Sequence, residues 1–399
     1  MGIVIQKYGG SSVRDTDHIE RVAERIAKRR RKGDDLVVVV SAMANTTDEL
    51  VNLARSIDPS PPEREFDMLL TAGERVTMTL LSMAIQKRGE RAVSYTGSQS
   101  GIITDDDHTR ARIMEVRAGR IVETLNSGAV AIVAGFQGVS GKRDVTTLGR
   151  GGSDTTAVAL GVALGAEICE IYTDVDGIYS ADPRRVRGAR PVPELTYCEV
   201  LDMAYFGAKV IHSRAVEMAR VHRLPLRVTS SMKKTEGSRI VGKVQGMERP
   251  RIVGVSTRKN ICLCSSRTEN LAELRELLSA LENARVRVGF PRMSEDGEAW
   301  KLDFWADSVD ADRLRELSKR FDITLTEKVC LIGLVGEEIA QRSEVLAEVL
   351  ELLEESGVRP LLMEATLTSI GLVLPDGSAA QIEDRMHQKF VKGSPFETG

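Results

Sequence analysis

Along the chain, short and fully apolar runs alternate with longer stretches whose apolar residues recur every three or four positions. Ile3-Val4-Ile5 leads into Lys7-Tyr8-Gly9-Gly10-Ser11-Ser12, after which Ile19, Val22, Ala23 and Ile26 share one helical face. This predicts strand, glycine turn, helix. The basic run Lys28 to Lys32 before Gly33 complements the negative end of that helix, and the glycine closes it. Leu36 to Val40 is a continuous apolar strand, of the kind that helices cover on both faces of a parallel sheet. Ala129 to Ala134 and Ile168 to Tyr172 repeat the signal, with a small-residue helix from Thr155 to Leu164 between them. The pattern predicts an α/β domain with a doubly wound, mostly parallel sheet, and ligands beyond the carboxyl ends of its strands. Asp58 to Pro62 breaks any helix and reads as an exposed loop.

After Thr229-Ser230-Ser231 the periodicity fades into polar, glycine-containing sequence, which places a domain boundary near 245: residues 1–245 form one domain and 246–399 a second region. In that region strands at Ile252 to Val255 and Ile261 to Leu263 precede a leucine-periodic helix from Asn270 to Leu281. Strands near Arg285 to Val288 and Leu302 to Trp305 and a helix from Ala311 to Arg320 follow. The order is echoed by Cys330 to Leu334, a helix from Ser343 to Glu355, strands near Leu361 and from Ile370 to Leu374, and a helix from Ser378 to Phe390. Two ferredoxin-like βαββαβ modules fit, with a turn at Pro375-Asp376-Gly377.

A length of 399 residues suits two or three domains. Fifty-five Lys+Arg against 58 Asp+Glu leave a net charge of −3, which argues against a dedicated nucleic-acid binder. The longest strongly apolar run, Leu36 to Val40, falls far short of the roughly 20 residues that span a bilayer, so neither a membrane nor a nucleic acid is expected as partner and the cytoplasm is the expected location. Five scattered cysteines lack metal-ligand spacing and read as reduced thiols, and no metal-ligating set is expected.

Two nucleotide motifs fail. Gly141-Lys142 lacks the earlier glycine of a P-loop, where Phe136 stands, and Arg143 replaces the metal-binding hydroxyl. Gly149-Arg150-Gly151 begins like a dinucleotide fingerprint, but its third glycine falls on Asp154. What remains are two glycine-rich turns, Lys7 to Ser12 and Thr147 to Thr156. Bare backbone amides followed by a helix N-terminus suit an anion, although ordinary tight turns capped by Ser or Asp would read the same way. A lysine in one turn, and an arginine and an aspartate in the other, point to chemistry.

These residues resemble the aspartate kinases of the amino acid kinase superfamily. The resemblance rests on Lys7 to Val13, Ser41 to Leu50, Thr71-Ala72-Gly73-Glu74, Gly135 to Gly138, Thr147 to Thr156, Tyr172 to Tyr179 with Asp182-Pro183-Arg184, and Phe206 to His212, seven motifs in order. It implies transfer of the γ-phosphoryl of ATP, with Mg²⁺, to the side-chain carboxylate of L-aspartate. Such an acceptor is already ionised at neutral pH, so no general base is needed, only alignment and charge stabilisation. By resemblance, Lys7 touches the γ-phosphoryl, Asp154 orients Lys7, and Gly9, Gly10 and Ser11 donate to phosphate oxygens. Arg150 clamps the substrate α-carboxylate and Glu74 accepts from its ammonium, while Ser41, Thr47, Phe136, Gly151 and Ser153 line the pocket. Thr173, Asp174, Tyr179, Arg184 and Lys209 correspond to nucleotide contacts, with Lys209 near the phosphates. Taken alone, Glu74 lies where a helical glutamate ordinarily faces water; His212 reads as a turn or helix cap and Asp105-Asp106-Asp107 as an exposed acidic loop.

The tandem modules occupy the place of the family's two ACT regulatory domains, which bind amino-acid effectors and build dimers, so a homodimer through this region is implied. In the family one unit is inserted in the other, so 260–325 corresponds to the inserted unit and 251–257 plus 326–392 to the second. Ser265 to Asn270 lacks the Asp-Lys-Pro-Gly-like turn of feedback-inhibited members, and Val335-Gly336-Glu337-Glu338 departs likewise. Without that turn, weak or absent inhibition by lysine and threonine is expected. A sister kinase with another acceptor would not combine Arg150 to Asp154 with paired ACT-like units, and a silent amino-acid sensor would have lost Lys7 or Asp154.

Overall fold

The computed structural model describes residues 2–244, 251–297 and 299–392, so the boundary expected near 245 lies outside the described residues. By contact the chain forms two units, one of Met1–Ile178, Pro191–Leu201 and Lys209–Gln245, the other of Tyr179–Arg190, Asp202–Ala208 and Gly246–Gly399.

The first unit is built on an eight-stranded sheet in the order Glu194–Thr196, Ser238–Val241, Leu226–Ser230, Ile168–Thr173, Ile3–Tyr8, Asp35–Val40, Val130–Ala134, Ala92–Tyr95. Every neighbouring pair is parallel except Leu226–Ser230 with Ser238–Val241. On one face Val4, Leu36, Val38, Val130 and Ile132 pack against Ile19, Val22 and Ile26 of the helix Thr16–Arg30 and against Leu81 and Ile85 of the helix Ala72–Gln86. The helix Gly152–Ala163 lies against Ile3–Tyr8 and Asp35–Val40, and Ala157, Val158 and Leu160 on it are buried. Helical sequence from Glu63 to Gln86 is long and apolar enough to cross a membrane by composition, yet Met78, Leu81 and Ile85 on it belong to this core. Gln6 and Glu170 interrupt the apolar strands: Gln6 Nε2 donates to Glu170 Oε2 at 3.0 Å, Tyr172 Oη to the same oxygen at 3.1 Å, and Arg29 pairs with it. A buried carboxylate is tolerable only when so answered.

A small second sheet, ordered Ile113–Val116, Ile102–Thr104, Gln137–Ser140, Val145–Thr147, belongs to this unit and has no clear apolar signature in the sequence. It delivers the chain into the turn before Gly152–Ala163.

The second unit has one antiparallel six-stranded sheet: Gly289–Asp296, Ala299–Asp307, Ile252–Thr268, Ile323–Gly336, Ser369–Pro375, Leu362–Thr366. The two central strands are long enough to serve both βαββαβ modules. Ile252 to Arg258 pairs with Leu331 to Gly336, and Ile261 to Ser266 with Ile323 to Val329, with register shifts where the chain passes from one module to the other. Each module buries its own aliphatic core, Leu274, Leu277 and Leu302 in one and Ile332, Val349 and Leu372 in the other. The strand expected near Arg285 to Val288 begins at Gly289, after the positive-φ residue Arg285, and the last helix, Ala379–Met386, continues as a π-helical His387–Lys392.

This unit also takes in 179–190 and 202–208, which a single boundary near 245 assigns to the first domain. The ring of Phe206 fills the space that side chains at Gly333 and Gly371 would need, and Tyr205 Oη accepts from the Phe290 amide at 2.8 Å and from Trp305 Nε1 at 3.0 Å. The motif Phe206-Gly207-Ala208-Lys209 is thereby split: its aromatic residue is packing for the second unit, and only Lys209 belongs to the first.

Candidate active site

In the first unit Ile3–Tyr8 is the strand at which chain order reverses, with Asp35–Val40 on one side and Ile168–Thr173 on the other. Its carboxyl end is therefore the crevice where a doubly wound fold binds ligands. Lys7 stands there, its Nζ 2.6 Å from Asp154 Oδ1, both side chains largely buried. Asp154 lies in the first turn of Gly152–Ala163, entered through Gly151 at φ +70°. A Cβ at Gly151 would run into the His212 ring at 2.1 Å, so the turn closes only around glycine. The His212 amide donates to Asp154 Oδ2 at 3.3 Å, which leaves the carboxylate bound on both oxygens. Gly9 and Ser12 use their amides internally, on Tyr172 O at 3.3 Å and Gly9 O at 2.8 Å. Gly10 and Ser11 open a single 3-10 turn, whose first amides have no partner within the turn itself.

Ala42 joins this turn to Glu74. A side chain at Gly10 would meet Ala42 O at 3.0 Å, and the Ala42 amide donates to Glu74 Oε1 at 3.1 Å. Glu74 is 3% exposed and does not face water. Its Oε2 is buried with no hydrogen-bond partner among the described residues. Burial pushes the Glu74 carboxyl up to about 7, against the opposing pull of backbone amides. Ser41, whose amide donates to Tyr8 O at 3.1 Å, and Thr47 on the helix Thr46–Ile57 are half-buried nearby in sequence.

Phe136 holds φ +70°, a conformation costly for an aromatic residue, with its amide donating to Thr156 Oγ1 at 3.1 Å. Ser153 packs against Gly135 so closely that a Cβ there would sit 2.7 Å from Ser153 Oγ, and Gly152 packs against the Phe136 ring. Arg150 is exposed at the tip of the same turn. The structure thus gathers Lys7, Asp154, Gly151 and His212 in one set, Gly10, Ala42 and Glu74 in a second, and Phe136, Ser153 and Thr156 in a third.

Thr173 ends the strand Ile168–Thr173 and Asp174 follows it, with Thr173 Oγ1 donating to Asp174 Oδ1 at 3.0 Å, and Lys209 is exposed. Tyr179 and Arg184 fall in the second unit, with Arg184 turned onto Asp182. Asp106 and Asp107 of the acidic loop are exposed and pair with Lys142 and Arg110. No group of three His, Cys, Asp or Glu able to hold a metal occurs among the described residues.

Two residues escape the sequence reading, and a third, His212, stands at the N-cap of the helix Ser213–His222, as a turn or cap residue should, but also does more. His212 contacts Asp154 through its backbone and Gly151 through its ring, which no side-chain motif announces. Asp67, in the helix Glu63–Leu70, is wholly buried and accepts from Thr147. Arg214 donates to Leu148 O at 3.0 Å and Ala111 O at 2.7 Å.

A family model for the amino acid kinase family matches residues 2–230. The aspartokinase of Corynebacterium efficiens is 40% identical over 413 residues, covering 100% of this chain and 98% of that protein. That of Mycobacterium tuberculosis strain H37Rv is 56% identical, over 64% of this chain and 62% of its own length. Among solved structures, Escherichia coli aspartokinase III in complex with aspartate and ADP (R-state) matches with a TM-score of 0.82 at 26% identity, covering 97% of this chain and 99% of that one. The complex of aspartokinase III with lysine and aspartate (T-state) matches at 0.77 and 26%, covering 98% and 99%.

Proposed function

The chain belongs to the aspartokinases of the amino acid kinase family and is an aspartate kinase, and from that premise we propose how its residues divide the work. Lys7 neutralises charge on the transferring γ-phosphoryl of ATP. Asp154, gripped by Lys7 and the His212 amide, fixes the ammonium in place before substrate arrives, so the cost of ordering it is met in folding. Gly10 and Ser11 supply backbone donors to phosphate oxygens.

On the acceptor side Arg150 holds the α-carboxylate of L-aspartate through a planar, two-pronged contact. Glu74 takes the α-ammonium on the oxygen that has no partner of its own. Binding then restores the ionisation that burial opposes, because a cation beside the carboxyl lowers its pKa. Ser41, Thr47, Phe136, Gly151 and Ser153 shape the remaining wall. The acceptor carboxylate attacks in its ionised form, the bond from the γ-phosphorus to the bridging oxygen breaks, and ADP leaves with an acyl phosphate as co-product.

Thr173, Asp174, Lys209, Tyr179 and Arg184 are the nucleotide contacts of this reading. Mg²⁺ would arrive with ATP and keep phosphate and water ligands, so that it would need no cage of side chains from this chain. When bound it neutralises phosphate oxygens. The second unit forms a homodimer and is the place for an amino-acid effector where one acts, and the protein works in the cytoplasm.

The observation that carries this reading is the Lys7–Asp154 pair at the carboxyl end of the central strand. Its test is ATP turnover with L-aspartate, L-glutamate or no acceptor, trapping acyl phosphate as a hydroxamate. Aspartate-dependent turnover lost in Lys7→Ala supports it; undiminished turnover in that variant refutes the role of Lys7.

A further inference from the structure

We propose that Asp67 is a positioning residue for aspartate binding: it braces the turn that carries Arg150 although it stands in a different helix. This rests on the reading of Arg150 as the clamp on the substrate α-carboxylate.

Asp67 is 0% exposed, in a helix of otherwise ordinary amphipathic sequence. A buried carboxylate is retained only where donors answer it. Here Thr147 Oγ1 donates to Oδ1 at 2.5 Å, the Thr109 amide lies 3.1 and 3.0 Å from the two oxygens, and His108 Nδ1 is 2.8 Å from Oδ2. None of these partners is on the helix of Asp67. They come from two loops, 105–111 and the start of 147–151, so one carboxylate ties both to a third element.

The two loops are also tied to each other. The Ala111 amide donates to Thr147 O at 2.9 Å, and Arg214 spans them by donating to Leu148 O and Ala111 O. Thr109 is held at φ +66°, a conformation a β-branched residue adopts only when its surroundings impose it. Its carbonyl lies 3.0 Å from where a side chain on Gly149, itself at φ +73°, would begin. Gly149 immediately precedes Arg150. The chain from Thr147 to Gly151 is thus hydrogen-bonded at Thr147 to Asp67 and at Leu148 to Arg214, and packed at Gly149 against the Thr109 carbonyl and at Gly151 against the His212 ring. Arg150 is the exposed residue between these fixed points. A guanidinium presented so needs little further ordering when it meets a carboxylate, which is the advantage of preorganisation.

A merely structural carboxylate would lower stability and affect both substrates alike. A brace on Arg150 acts on L-aspartate alone. The experiment measures KM for L-aspartate, KM for ATP and kcat in Thr147→Val, Thr147→Ser, Asp67→Asn and Arg150→Ala. Thr147→Val removes the hydroxyl at nearly constant volume and is expected to raise KM for aspartate about tenfold while KM for ATP stays within twofold. Thr147→Ser keeps the donor and is expected to restore a near-native value; Asp67→Asn moves in the same direction as Thr147→Val, and if it fails to fold the Thr147 pair decides. Unchanged KM for aspartate in Thr147→Val, equal loss in Thr147→Val and Thr147→Ser, or parallel increases for both substrates overturn the proposal, provided Arg150→Ala raises KM for aspartate. If Arg150→Ala itself leaves that KM unchanged, the clamp reading fails and the proposal falls with it.

Discussion

The crevice of the first unit and the sheet of the second bury side chains on opposite principles. In and around the crevice they are buried for their charge: Lys7 against Asp154 and Glu74 with one oxygen unanswered among the described residues, with Asp67 bound by two segments beyond them. In the sheet they are buried for their volume: Phe206 over Gly333 and Gly371, Trp305 beside Tyr205, and aliphatic cores under each module. A charge buried with a partner is strained when the partner is removed, whereas volume buried against glycine is lost in proportion to the cavity left. The two regions should therefore fail differently when cut, one in chemistry and the other in stability.

The sharpest break in that contrast is Lys7→Ala. Loss of one preorganised donor to developing charge costs about a thousandfold in turnover, and here it also leaves Asp154 with its remaining partner, the His212 amide. Steady-state turnover together with a thermal melt checks it: a fall in turnover without a comparable fall in stability is expected. The reverse holds for Phe206→Ala, which opens a cavity between two glycines that cannot fill it and should cost about 3–5 kcal/mol of stability in denaturant unfolding of the second unit. Tyr205→Phe is a milder cut in the same place. It removes the acceptor of the Phe290 amide and the Trp305 indole N–H and should cost about 1–3 kcal/mol, read from the same unfolding curves.

Glu74 lets the charge principle be read by pH. Its carboxyl is raised from 4.5 to about 7 by burial, so the folded protein holds a proton that the unfolded chain has released between those values. Stability from this group is therefore fully present below about 4.5 and is lost as pH rises through about 7. Unfolding of the ligand-free protein should show that fall, and Glu74→Gln should flatten it. Aspartate binding runs the other way, because its ammonium needs the ionised carboxylate: KM for aspartate should decrease as pH rises through 7 in the native protein and not in the Gln variant.

How legible each region was in the sequence follows from the same division. Volume leaves a periodic trace, so the strands at Leu36 to Val40 and Cys330 to Leu334 and the leucine-periodic helix from Asn270 to Leu281, observed as Leu271–Asn283, stand out as apolar patterns. Glycine turns carrying Lys7 and Asp154 stood out too, because glycine beside charge is a local signature. Asp67 left no trace: in Glu63–Leu70 an aspartate between apolar residues reads as solvated, and what buries it is the arrival of Thr109 and Thr147 from loops about 40 and 80 positions away. The motif that starts at Phe206 points to the family but not to its packing, since a motif continuous in sequence is divided between the two units. Contacts made by backbone atoms, as His212 makes with Asp154, carry no residue preference to detect.

The smallest expected effect is a null one, at the helix Leu271–Asn283. A helix that grips an amino-acid carboxylate must keep its first amides available, with a turn that aims them at the ligand. Here Asn270 Oδ1 already accepts from the Glu273 amide at 3.0 Å, and Glu273 Oε2 accepts from the Glu269 amide at 2.9 Å. The helix start is capped by its own side chains, and the Glu273 carboxylate adds a negative charge where an incoming carboxylate would have to sit. Lysine and threonine, titrated singly and together into the kinase assay, should therefore inhibit by less than twofold at 1 mM, a bound expected from loss of about 0.4 kcal/mol or less in coupling. Inhibition below millimolar that survives in Asn270→Ala and Glu273→Ala would place the effector elsewhere in the second unit; inhibition that appears only in those variants would show that the cap is what closes this helix to an effector.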